Sequence, residues 1–414
     1  MNISKDKVFL FLVSILLVGQ VFQYFTKITN IPTFTPALIG LIAYSIFVYP
    51  RVFFRPSVFS TILLYLSISL YDISNHLNNL PPVLLSPFGT FSMVFPFFTT
   101  ALVIENLLIL KKENKRIIYY LGKISFIIII LSITVNLVSE LMFPGITRSV
   151  GFNNFPNMAW SMSFGTFYAI PFIYMVVLNY YKSSGFGLFL LSFLFVAMIL
   201  TAGFITALAL TAGTSIIGLL FRFKVKNKLF IFGVFLSISF MVLSNLGAVI
   251  ELFPNLPNPI YLQKAAEIYN LQYSSSLSDI ASNSRAGVYD ITIEAIKLNP
   301  IFGSGDYDKI GQHSFWLDKL GFLGIVGVLF HINVFLKLYF GAKNILLRSQ
   351  RNNYYILVLI VFGFLFLNPI QWPDFWLIIF VMIPAIMYYL SKADSLFKSK
   401  IASKIENHKK SELS

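Results

Sequence analysis

The run IIYYLGKISFIIIILSITVNLVSEL, residues 117–141, decides the fold. Lys123 and Glu140 are its only charged side chains, and apolar residues do not alternate with polar ones along it. A lipid-facing barrel strand takes about 9–11 residues and alternates strictly, whereas a helix crossing a bilayer takes roughly 20 predominantly apolar residues. The stretch therefore reads as a transmembrane helix, whose backbone groups bond within the segment where no water can reach them.

The rest of the chain repeats the pattern. Of 414 residues, 57% are hydrophobic and 12% charged, more apolar surface than one soluble core can bury. About twelve windows qualify, near 8–25, 34–49, 57–71, 91–110, 117–141, 158–179, 186–201, 203–221, 229–247, 321–340, 354–371 and 375–391. No small-x-small cleavage signal follows the first, at GQVFQYFTKITNIP, so it is expected to stay as a first helix. The expected fold class is all-α, a polytopic transmembrane bundle of about twelve helices. The expected organisation is nine helices over 1–247, a large outer loop over 248–320 with short surface helices, three helices over 321–391, and a basic tail over 392–414.

A net charge of +14 would point to nucleic acid in a soluble protein, but its placement argues otherwise. The cations crowd alternate loops: Lys5 and Lys7; Arg51 and Arg55; Lys111, Lys112, Lys115 and Arg116; Lys182; Arg222 to Lys228; Lys343, Arg348 and Arg351; and the tail. The intervening loops hold few, among them Lys27, Arg148, Lys264, Arg285, Lys297, Lys309 and Lys319. The positive-inside rule then puts both termini in the cytoplasm, and anionic membrane lipids rather than nucleic acid account for the basic face. The absence of cysteine excludes disulfides, thiolate chemistry and cysteine-ligated zinc, and four scattered histidines argue against a structural metal.

Polar residues collect in the loops of the opposite side. In the large loop, PNPIYLQKAAEIYNLQ has Asn258 as N-cap and Pro259 at the first helical position. SRAGVYDITIEAIKLNP is expected as a surface helix capped by Ser284, led by Arg285, stopped at Asn299-Pro300, with Val288, Ile291, Ala295 and Ile296 on one face. GSGDYDKIGQHSFWLDKLGFLG, 303–324, then feeds onto a membrane helix. FPGITRSVGFNNFPNMAW adds Arg148, Asn153, Asn154 and Asn157, and the loop after the third window adds Asp72 and His76.

Several of these residues have chemistry worth naming. His313 stands above a helix whose Gly324 and Gly327 permit close approach; its imidazole can take a proton from a sugar hydroxyl or bond a phosphate, or simply hydrogen-bond at the interface. Arg285 and Arg148 can each fork a diphosphate or snorkel to headgroups. GSGDYDK lacks the frame of a phosphate loop. Asp306 and Asp308 resemble a metal-binding Asp-x-Asp but fall on the side away from cytosolic nucleotide sugars, so a solvated turn is the better reading. Glu105 and His331 lie inside apolar windows, where an ionisable group costs about 2.5 kcal/mol or more unless paired, so each is expected to have an interior partner or to face a cavity. The small residues of GFITA and AGTSIIG, near 203–218, are expected at a close helix contact.

His313-Ser314, nine residues, Gly324, two residues, Gly327 resembles the histidine motif of the O-antigen ligase and polymerase superfamily. The Arg285-led segment, NPIFGSG, the histidine and the glycine-bearing helix follow in that family's order, and RSVGFNNFPNMAWSM resembles its Gly-Phe-x-x-Pro-Asn segment. The likeness is specific over roughly 145–165 and 284–328 and otherwise one of topology. It implies an inverting glycosyltransferase without metal or cofactor, in the bacterial cytoplasmic (inner) membrane with its site facing the periplasm. Its donor would be an oligosaccharide on polyprenyl (undecaprenyl) diphosphate. By resemblance Arg285 would bind the diphosphate, His313 would act as base or diphosphate partner, and Asn157 and Gly324 would shape the site, with Arg148, Ser314 and Gly327 beside them. The family's mid-chain Ser-Arg pair is missing: Ala202 and Gly203 stand in its place, and Arg148 is a candidate replacement.

The resemblance fits a polymerase of surface polysaccharide repeat units, O-antigen or capsule, with a chain-length regulator as a further partner. It also fits a ligase that moves the glycan to the lipid A core of lipopolysaccharide. A transporter or flippase is the rival of another class; it predicts inverted repeats and broken helices at mid-membrane, whereas the two halves of this sequence look unalike.

Overall fold

The computed structural model describes residues 4–22, 33–77, 87–142, 163–182, 184–202, 205–223, 285–305 and 310–393, without the side chains of 72, 74–77, 87–92, 205 and 285–288. Among the described residues every regular element is a helix. In chain order they are α1 (Lys5–Val21), α2 (Phe34–Val48), α3 (Pro56–Leu77), α4 (Pro87–Glu113), α5 (Arg116–Met142) and α6 (Phe164–Tyr180). There follow α7 (Gly185–Ala202), α8 (Ile205–Arg222), α9 (Arg285–Leu298), α10 (Phe315–Ile345) and α11 (Arg351–Phe364). The last is α12 (Pro373–Ala393).

Five helices are long and apolar enough to cross a membrane: α5, α7, α10, α12 and the Met93–Glu113 part of α4. Four shorter apolar helices, Phe34–Val48, Pro56–Tyr71, Phe164–Tyr180 and Thr206–Arg222, accompany them. By length and composition this is a helical membrane protein. The window at 229–247, the helix expected from Asn258 and the lysine-rich tail lie outside the described residues.

α12 is the axis of the bundle. It packs against α1, α4 and α6, and its middle turn also meets α5 and α10. Phe375 through Ile383 are without exposure. That middle turn, Ile378–Met382, widens to π geometry just before Pro384, whose ring and missing N–H disfavour a regular α-turn there. α5 approaches so closely at Gly122 that an added Cβ would lie 2.1 Å from the Ala385 carbonyl oxygen. Gly218 of α8 is another close crossing, 2.9 Å from Met175 O of α6 by the same construction, which fits the contact expected of AGTSIIG.

α10 begins six residues before the expected window and is broken within it. Gly324 has φ +64°, ψ −169°, which splits the helix into a short N-terminal piece and a long C-terminal one. Segment 300–305 supplies the hydrogen bonds that the break removes. Ser304 N donates to Gly321 O at 2.7 Å and Gly305 N to Phe322 O at 3.1 Å, while Ile325 N and Val326 N donate to Pro300 O and Ile301 O at 2.9 and 3.2 Å. Gly303 faces this crossing with φ +78°, and a Cβ there would lie 2.3 Å from Phe322 O. Neither glycine has room for a side chain.

The surface helix forms as α9, ending at the expected Asn299-Pro300 stop, but with a different inward face. Thr292 is 1% exposed and Ile291 49%. Thr292 is drawn in by two contacts: its Oγ1 accepts from Gly311 N at 2.8 Å, and its methyl meets the bare face of Gly321. Ala295 is buried as expected.

The two ends of the bundle differ in charge. Arg55, Lys111, Lys112 and Lys115 meet beside Asn344 at one end. Ser314, at the start of α10, lies at the other, where Tyr71 at the far end of α3 donates to Gly303 O at 3.4 Å.

Gly122→Val is expected to lower the thermal unfolding midpoint of detergent-solubilised protein, by about 1–3 kcal/mol of stability, because the α5–α12 crossing cannot admit a side chain. Gly213→Ala, with nothing within 4 Å of the new methyl, should instead gain about 0.5–1 kcal/mol. Equal effects at the two positions would contradict the packing.

Candidate functional site at the broken end of α10

The site is built where the loop carrying His313 turns into α10. Gln312 has φ +56°, His313 is exposed, and Ser314 is fully buried as the N-cap. Ser314 Oγ accepts from Leu317 N at 3.3 Å, while Asp318 reaches back so that Oδ2 accepts from Ser314 N at 2.9 Å. The Asp318 carboxylate also takes backbone hydrogen bonds from His313 and Gln312. A first-turn carboxylate suits the positive end of a helix, and here it also fixes the turn that holds the histidine. Ser314, expected among the substrate-binding residues, caps α10.

Gly324, expected to shape the site, breaks α10. At Gly327 a constructed Cβ would lie 2.1 Å from Leu323 Cβ of the same helix, so that position has no room for a side chain. Arg285 opens α9, which packs on α10. Its side chain, and all of Arg148, Asn153, Asn154, Asn157, Gly203, Asp306 and Asp308, lie outside the described residues, as do the side chains of Asp72 and His76.

Beside Asp318 the structure buries a cation. Lys319 is 2% exposed. Its Nζ donates to Gln371 Oε1 at 3.5 Å, the outer limit of a hydrogen bond, and stands 5.7 Å from the Phe315 ring centroid. Asp318 acts on it through space. Phe315 in turn packs on Trp376 at 5.5 Å and His331 at 6.0 Å, and its N–H donates to Asn368 O at 3.2 Å. Around this ring, Trp376 Nε1, Asn368 Nδ2 and His331 Nε2 are buried with no hydrogen-bond partner among the described residues.

The second buried carboxylate nearby is fully engaged. Asp374, at the start of α12, accepts from Thr166 Oγ1 at 2.7 Å and from Ser163 Oγ at the start of α6. Gly165 makes room for it, since a Cβ there would fall 2.5 Å from Oδ1. Asp374 therefore ties two helix N-termini together. Asp318 serves a third, so both carboxylates are spent on backbone and hydroxyl donors. What remains is an ammonium held by one long hydrogen bond, with indole and amide N–H groups near it. Such an arrangement favours an anion.

The two intramembrane ionisable groups noted in the sequence have interior partners. Glu105 Oε1 accepts from Ser57 N and Oγ at 3.3 and 2.7 Å, at the N-terminus of α3. His331 Nδ1 lies 2.8 Å from Gly327 O, which assigns the proton to Nδ1 and leaves Nε2 as an acceptor. They sit at different places in the bundle. Among the described residues no three His, Asp or Glu gather as a metal set.

Sequence reasoning missed Asp318, Lys319, Gln371 and Asp374. A signal existed for the first: Ser314 with an Asp in the following turn, at the head of an apolar run, is a helix-start pattern.

Asp318→Ala is expected to speed backbone hydrogen exchange at 312–314 and cost about 1–3 kcal/mol, by stripping buried N–H groups of their acceptor. Ser314→Ala should cost about 1 kcal/mol as a lost cap. Unchanged exchange at 312–314 in Asp318→Ala would remove that residue's positioning role.

Comparison with protein-family models finds no match to this chain, and comparison with curated proteins finds none either.

Proposed function

We propose that the protein polymerises a surface polysaccharide, O-antigen or capsule, by transferring glycan from a polyprenyl-diphosphate donor at the outer face of the bacterial cytoplasmic membrane. In this reading about twelve helices span the bilayer, both termini are cytoplasmic, and the large loop over 248–320 lies outside. The gathering of Arg55, Lys111, Lys112 and Lys115 at the end opposite Ser314 supports that orientation. The observation that carries the proposal is the buried, thinly bonded Lys319 directly behind the His313–Ser314…Gly324 motif.

The reaction assigns each group a task. An acceptor sugar hydroxyl attacks the anomeric carbon of the donor, and the bond from that carbon to the diphosphate oxygen breaks with inversion. The hydroxyl proton passes to His313, and the electron pair leaves on the polyprenyl diphosphate. Lys319, with Arg285 from α9, would stabilise the charge that develops on the leaving group. Asp318 would act only by holding the turn in which His313 stands. An ammonium already stripped of water binds a diphosphate better than one that must first be desolvated.

A gel of surface glycans tests this. His313→Ala, Arg285→Ala and Lys319→Met are each expected to abolish long chains while the protein stays in the membrane, leaving single repeats on lipid A core or on the polyprenyl carrier. Full polymer accumulating on the polyprenyl lipid would instead assign a ligase. Normal chain lengths in all three variants would sink the proposal, and altered solute uptake beside them would favour a transporter.

A further inference from the structure

At the opposite end of the bundle a cavity of about 440 Å³ opens between α3, α4 and α10, lined by Arg55, Glu105, Leu108, Lys111, Lys112 and Lys115, among others. Four cations and one carboxylate share this lining. The carboxylate is occupied, because Glu105 accepts the backbone and hydroxyl hydrogens of Ser57 at the N-terminus of α3. Lys111 is partly occupied, donating to Asn344 O and Ile345 O at 2.5 and 3.1 Å and so closing the C-terminal end of α10. Arg55, Lys112 and Lys115 are exposed, and their side chains make no hydrogen bond or ion pair among the described residues. Arg351 is close enough to act electrostatically on Lys111, and its Nε is buried without a partner among those residues.

The side chains of Arg55, Lys112 and Lys115 stay unpaired among the described residues, and like charges this close repel one another. The cavity therefore fits a ligand carrying at least one phosphate. Its walls also say which kind. Leu108 and Ile109 line it. A soluble phosphate makes no use of an apolar wall. A lipid whose phosphate lies among cations and whose chains run along the helices uses both the charge and the wall.

We propose that this cavity is a binding site for the headgroup of an anionic phospholipid, clamped by Arg55, Lys112 and Lys115 between the ends of α3, α4 and α10. The site is separate from the glycan chemistry and does not depend on it. By joining the loop before α3 to the end of α10, a bound headgroup would neutralise the repulsion and stabilise this end of the bundle.

The test uses the purified full chain in neutral detergent, with its unfolding temperature followed while phosphatidylglycerol, phosphatidylethanolamine or inorganic phosphate is added. Phosphatidylglycerol is expected to raise the midpoint saturably, with an apparent affinity at least about tenfold weaker in Arg55→Gln/Lys112→Gln/Lys115→Gln. Lys7→Gln/Lys123→Gln/Lys182→Gln, which removes exposed cations elsewhere, should respond like the parent. Each single cavity variant is measured as well, so a triple variant that fails to fold leaves the comparison intact; each single should weaken binding. Equal weakening in cavity and control variants, or an equal response to phosphatidylethanolamine, would overturn the proposal. Inorganic phosphate reproducing the full shift would overturn the lipid headgroup as the ligand.

Discussion

A backbone amide inside a bilayer must find its partner within the protein, and the break at Gly324 is where this fold meets that requirement most visibly. Splitting α10 releases carbonyls from its N-terminal piece and N–H groups from its C-terminal one. Segment 300–305 receives both sets, with four hydrogen bonds of 2.7–3.2 Å across the break. The rest of this end of the bundle depends on the exchange. It sets the depth of the short piece, hence the position of Ser314, Asp318 and Lys319, and it draws α9 onto α10 through the chain that links them. Two glycines with positive φ permit it, each facing a carbonyl too near for any side chain.

The same end also shows how buried charge is distributed. Asp318 and Asp374 each terminate backbone or hydroxyl donors at helix N-termini, where a carboxylate is favoured. Glu105 does the same for α3 at the other end. Three buried acids thus serve architecture. Cations are treated differently: Lys111 closes a helix C-terminus, whereas Lys319 is buried against an aromatic ring with one long hydrogen bond. Among these charged groups the asymmetry singles out Lys319 as the one whose burial the fold does not explain by itself.

Much of the architecture was legible in the sequence because lipid imposes a length and a polarity on each helix. The windows at 34–49, 117–141 and 186–201 match α2, α5 and α7 within a residue or two. Legibility failed where tertiary partners replace the usual rules. α10 starts ahead of its window because its N-terminal piece holds Asp318 and Lys319, charges that a hydropathy window assigns to a loop. α11 ends at Phe364, short of its window, because Leu365–Leu367 form a turn and Asn368–Trp372 an extended link. Thr292 displaced Ile291 from the inner face of α9 because Gly321 and the Gly311 N–H offered it a matching surface, and neither neighbour is visible in a helical period. Of the candidate site, the histidine's place before the helix was readable, whereas the break at Gly324 was not, since it depends on hydrogen bonds from segment 300–305. The buried lysine was not, since burial of a lone cation follows from packing around Phe315 that no local pattern encodes.

The central position of α12 bears on how the protein is made. Helices enter the membrane in the order of synthesis, and α12 is the last of the described helices, yet α1, α4 and α6 all pack against it. The pairs α1–α2, α3–α4 and α6–α8 need nothing from residues 373–393 and can close before those residues are made. The recesses at Gly122 and Gly165, by contrast, face Ala385 and Asp374 and stay open until α12 arrives. The last of the described helices is thus fitted into partners already in place, and truncation before Pro373 would remove a shared neighbour of α1, α4 and α6 rather than one peripheral span.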